Sequence, residues 1–137
     1  MRKTLDPHAA LIYTMVLVSV AEGQISDVEL ETMGRLVQTL PVFETFDKSR
    51  IVAIGDECRE LLGDVDGIDL AIERIAGALT TGLCETAYVL ACDIVAADGK
   101  AAQDELRLLE LLRNGLGIDR LAAAAIERAA QARHRVS

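Results

Sequence analysis

Tryptophan is absent from the chain, and two phenylalanines with two tyrosines supply all of its aromatic surface. Apolar residues still make up 51% of the 137 positions. The core must therefore be aliphatic, drawn from Leu, Ile, Val and Ala, a palette that suits helices more than strands. No segment alternates apolar and polar residues as a half-buried strand does, and no apolar run is long enough to span a bilayer. The length is that of one domain, which can bury roughly two thirds of its surface without staples.

Histidine is almost missing as well. His8 and His134 are the only two, one near each terminus. No Ser, Cys or Lys stands in a recognisable nucleophile setting, and no Gly-rich loop is present to cradle a phosphate. These gaps argue against an enzyme. The three cysteines are an odd count. Cys84 and Cys92 fall eight apart on one predicted helix, about 12 Å between their Cα atoms and beyond disulfide reach. Cys58 sits among apolar residues. Three buried, inert thiols in a reducing cytoplasm are expected, since no two have the spacing of soft-metal ligands.

Positive charge is scarce: 14 Lys and Arg against 22 Asp and Glu give a net charge of −8. Such a surface repels phosphate backbones, which excludes nucleic acid as a partner. It leaves solubility, cations or basic proteins as what the acidity serves.

What the chain does have is a phrase said twice. Glu22-Gly23 is followed five residues later by Glu29-Leu30, and Asp98-Gly99 by Glu105-Leu106. The offset is 76 throughout, and it also aligns Val18 with Ile94, Met33 with Leu109, Leu36 with Leu112 and Leu40 with Leu116. The repeat halves run over about 8–40 and 84–116, each a helical hairpin bent at a glycine.

Local signals place the helices. Asp6-Pro7 reads as an N-cap with proline at the first helical position. The helix that follows, to about Glu22, is apolar nearly all round and so should be central. Arg2 and Lys3 before its apolar run outline a signal peptide, but Asp6-Pro7 breaks the leader, and the matching segment of the second copy lies mid-chain. Ser26-x-x-Glu29 is a capping box opening a second helix, with Leu30, Met33, Val37 and Leu40 as its expected buried stripe. Further helices are predicted over about 47–62, 68–79, 83–97 and 102–114, and a last one capped by Asp119. The fold class is all-α, a single domain of about seven helices.

The acidic phrase carries the clustered polar chemistry. Glu29 can reach back to the Ser26 amide, so a cap explains it. Glu105 has no hydroxyl partner at Ala102. Glu22 and Asp98 end helices, where carbonyl dipoles already concentrate negative charge. Each bend could bring its two carboxylates toward one point, and hard cations such as Ca²⁺ or Mg²⁺ favour such oxygen ligands. Glu22, Glu29, Asp98 and Glu105 are thus candidate ligands for a divalent cation. Caps with solvated turns, or a docking surface for a basic partner, are the alternatives. The D-x-D-x-D-G run of an EF-hand is missing from both copies.

The apolar helix ending in Asp98-Gly99, then Glu105-Leu106 and Leu108-Leu109, with the first copy from Glu22-Gly23 to Glu29, resembles the TerB family of tellurite-resistance proteins. The likeness extends from about His8 to Ala130. It implies an all-helical, non-catalytic protein with acidic residues of both hairpins near one surface. It further implies a cytoplasmic role in tellurite, metal or chemical stress, in company with calcium-binding proteins and a membrane-embedded stress protein. Glu22 stands where the family more usually has Asp. An adaptor that docks a partner or a second copy through its acidic surface is the alternative function. For a homodimer, the Ala122–Ala125 run offers small residues for close packing.

Overall fold

The computed structural model describes residues 5–20, 24–97, 99 and 103–136. Among these lie seven α-helices and no strand: α1 (Pro7–Ser19), α2 (Asp27–Thr39), α3 (Ile51–Leu62), α4 (Gly67–Ala78), α5 (Thr81–Ala97), α6 (Gln103–Gly115) and α7 (Arg120–Arg133). Two single 3₁₀ turns, Pro41–Phe43 and Lys48–Arg50, link α2 to α3.

The predicted start of α1 is present in atomic detail. Asp6 accepts from the Ala9 amide at 2.9 Å, and Pro7 begins the helix. Every residue from Ala9 to Ser19 is buried, which an all-round apolar helix requires. The two hydroxyls inside this rod are answered locally: Thr14 donates to the Ala10 carbonyl and Ser19 to that of Met15, both at 2.8 Å. Helix α1 packs on α3, α4 and α5, and α5 packs in turn on α7. The two apolar rods are therefore the centre, and the other helices wrap them.

His8 is a structural residue of this core. Its Nε2 donates to the Val42 carbonyl at 2.8 Å, and its ring lies against Phe43 and Phe46. Both phenylalanines are buried, each worth about 1.5–3 kcal/mol by apolar transfer. Arg50 lies over the Phe46 ring and bonds Asp6 through Nη2 at 2.6 Å, closing the 3₁₀ connector onto the start of α1. Burial alone would raise the Asp6 carboxyl, but the Arg50 hydrogen bond and the Ala9 amide outweigh it and hold the group below its usual range.

One expectation about α2 fails. Leu30 was expected in the buried stripe, yet it is 51% exposed, and Glu29 and Thr32 turn inward beside Val37. The cause is tertiary: α2 leans on α5, so the inward face is rotated from the one its leucines mark. Leu106, the residue 76 positions later, is exposed to nearly the same degree, 48%.

Candidate functional site

The capping box predicted at Ser26 is complete. Ser26 Oγ accepts from the Glu29 amide at 3.1 Å, and Glu29 Oε1 accepts from the Ser26 amide at 2.9 Å. The exchange holds the Glu29 carboxylate against the helix start and leaves the residue only 4% exposed. Glu105 occupies the equivalent place in the first turn of α6 and is 3% exposed. Glu22 and Asp98, the other two acids of the repeated phrase, lie outside the described residues. Gly99, with φ of +69°, adopts the left-handed conformation that favours glycine and donates its amide to the Ala96 carbonyl at 3.1 Å. Among the described residues no group of three or more His, Cys, Asp or Glu is placed to hold a metal ion.

The repeat reappears in a feature that sequence reasoning missed. A groove of about 240 Å³ opens between α1, α2 and α3. A second, of about 260 Å³, opens between α5, α6 and α7. Their linings correspond at the same offset of 76. Ile12, Val16, Leu30, Met33, Val37 and Ile51 in the first are matched by Tyr88, Cys92, Leu106, Leu109, Arg113 and Glu127 in the second. Gly34 and Gly55 are matched by Glu110 and Gln131. The correspondence thus reaches past the hairpins, from α3 to α7.

The chemistry of the two grooves has diverged. The first groove is apolar at all eight matched positions; Asp56 and Arg59 at its edge lie outside that set. In the second, the Tyr88 hydroxyl donates to Glu127 Oε2 at 2.6 Å, and Arg113 Nη1 reaches the same oxygen at 3.4 Å. Burial, and then the adjacent Glu127, push the Tyr88 phenol well above its ordinary range. Burial pushes the Cys92 thiol up to about 12, so it is a neutral wall rather than a nucleophile. The signal that could have found this cluster was in the sequence: carrying the offset beyond residue 116 sets Glu127 against Ile51.

A second ionic cluster closes the end of α7. Asp93 Oδ1 accepts from Arg133 Nε and Nη2 at 3.2 and 2.6 Å, and His134 Nε2 lies 3.3 Å from the same atom. Both histidines therefore have structural partners. All three cysteines are free and buried, as expected. No helix among the described residues is long and apolar enough to cross a membrane.

Neither the curated proteins nor the solved structures contain a match to this chain. The family model described as tellurite resistance protein TerB does match, over residues 8–129, a span that takes in both acidic phrases, and the chain belongs to that family.

Proposed function

We propose that this protein is a non-catalytic accessory factor of tellurite or chemical stress resistance that binds a divalent cation through Glu22, Glu29, Asp98 and Glu105. The observation that carries the reading is the paired burial of Glu29 and Glu105. They stand 76 apart, each in the first turn of the second helix of its hairpin, and both are almost wholly removed from water. Burial fixes where these carboxylates stand, as the Ser26 amide holds Glu29 at the helix start, and a carboxylate has more acceptor sites than one such hydrogen bond fills. Each hairpin adds a further acid at its bend in the sequence, and oxygen ligands of this kind suit Ca²⁺ or Mg²⁺.

A binding role rather than a reaction is favoured by what the reactive side chains do. His8 and His134 are held by core and helix-end partners. Burial raises the thiols of Cys58, Cys84 and Cys92, so reduction of an oxyanion by a thiolate has no ready donor. A net charge of −8 repels tellurite itself. Calorimetry and thermal shift with Ca²⁺, Mg²⁺ and Mn²⁺ test the reading. Saturable heat that disappears in Glu105→Gln supports it; no heat and no shift at millimolar ion ends it.

An adaptor role is the second reading, with a basic protein or a second copy of the chain docking on the acidic surface. Leu30 and Val52 favour it, since both line the first groove while 51% and 73% exposed, and a partner that covered them would bury apolar surface. A pull-down in which charge-neutral variants of the acids and the wild type capture the same proteins equally well argues against the acidic surface.

A further inference from the structure

The groove between α5, α6 and α7 holds a polar set that its fold does not require. At the matched positions of the first half the same architecture is built with Ile12, Val16, Val37 and Ile51. Partly buried ion pairs are seldom better for stability than apolar residues of similar size. Tyr88, Arg113 and Glu127 therefore call for a reason other than packing.

Their geometry supplies one. Both donors, the Tyr88 hydroxyl and Arg113 Nη1, converge on Oε2 of Glu127. The carboxylate is thus held in one orientation while Oε1 accepts from neither donor. Glu110 lines the same cleft. Two acids and one base give the lining a formal charge of −1, on a molecule that is itself negative. Beside these groups Val95, Leu109 and Ala130 form an apolar wall. A small concave site with an apolar wall and a few convergent, fixed polar groups is the usual form of a small-molecule pocket.

We propose that this cleft binds a small amphipathic organic cation: a primary amine on a short apolar body. The ammonium donates to Glu127 and Glu110, and the carbon chain lies along Val95 and Leu109. Arg113 does not reverse the preference, because Glu127 already neutralises it. Anionic ligands of the same shape face a lining of net charge −1 and bind more weakly. This site is independent of the cation reading of the acidic bends.

The test is a titration of the full-length ¹⁵N-labelled chain with n-hexylamine, and with hexanoate as the shape-matched anion, followed by amide chemical shifts. Saturable shifts confined to α5, α6 and α7 are expected, with hexanoate at least about tenfold weaker, the ratio that one lost charged hydrogen bond produces. Glu127→Gln should weaken hexylamine by a similar factor. Because that variant also alters the tether of α7, Glu110→Gln provides the second arm. Glu110 is exposed, so its replacement should keep the fold and still weaken the amine severalfold. Equal affinity for the two probes overturns the proposal. So do equal shifts around Met33 and Val37 in the first groove, or unchanged amine affinity in both variants.

Discussion

Asp93 and Arg133 clasp the end of α7 to the middle of α5, with two guanidinium nitrogens on one carboxylate oxygen at 3.2 and 2.6 Å. Asp93 is 5% exposed, whereas the Arg133 side chain is half exposed. In the first half Leu17, Glu57 and Cys58 occupy the positions matched to Asp93, Arg133 and His134. Asp93→Ala leaves a void and strips Arg133 and His134 of their acceptor, at a cost of roughly 1–3 kcal/mol. Asp93→Leu, which reproduces the solution of the first half, should cost clearly less. Urea unfolding measures both, and amide exchange along α7 should show its last turns opening first in Asp93→Ala. Equal losses in the two variants would mean that packing volume and not the ionic clasp holds the helix.

The thiols set the alkaline limit. Burial raises Cys58 and Cys92 to about 12 in the folded state, against about 8.5 for an unfolded cysteine. Folding favours the protonated thiol, so this contribution is whole below about pH 8.5 and declines as pH rises toward 12. The urea midpoint should fall steadily across that window, and less so in Cys92→Ala measured against its own value at pH 8. At neutral pH a thiol-specific disulfide reagent should label no cysteine until denaturant is added. Rapid labelling of any of the three in the native protein would contradict the burial on which the proposed non-catalytic role draws.

Much of the architecture was legible because its signals are local. Asp6-Pro7, the Ser26 box and Asp119 each begin a helix where their side chains meet free amides. The burial of α1 followed from the lack of any polar face. Leu30 was misplaced because a stripe of leucines records only that a helix is amphipathic, while its neighbour decides which flank is covered; that neighbour, α5, comes some fifty residues later. The second groove stayed hidden for the same reason. Tyr88 and Glu127 are 39 positions apart, and no periodicity within one helix reports that α7 returns to α5. The acids of the bends were found by repetition alone, which shows that they are paired in sequence and not what they hold.

Close approach of α4 to the end of α6 gives a sharper steric test. A Cβ at Gly115 would collide with Cγ2 of Ile72, a buried side chain. Gly115→Ala should therefore destabilise by about 1–3 kcal/mol through overpacking. The double variant with Ile72→Leu removes that Cγ2 branch at nearly constant volume and should recover part of the loss. Gly55→Ala, inside α3, is the control: a Cβ there meets nothing, and alanine in a helix interior is favoured by about 1 kcal/mol. A neutral Gly115→Ala would show that α4 and α6 stand farther apart than described.

Glu29 belongs to two explanations at once, a helix cap and a cation ligand, and two substitutions separate them. Ser26→Ala removes the hydroxyl that accepts from the Glu29 amide and should cost about 1 kcal/mol. Glu29→Gln keeps an amide oxygen that can accept from the Ser26 amide, since Gln serves in a capping box as Glu does. It removes only the charge. If the carboxylate is a cap and nothing more, Glu29→Gln unfolds near the wild-type midpoint and leaves any ion-induced thermal shift intact. If it is also a ligand, as proposed, stability without ion stays near wild type while the shift produced by Ca²⁺ or Mg²⁺ is lost. The thermal shift of Glu29→Gln with and without millimolar cation, beside that of Ser26→Ala, therefore assigns the residue.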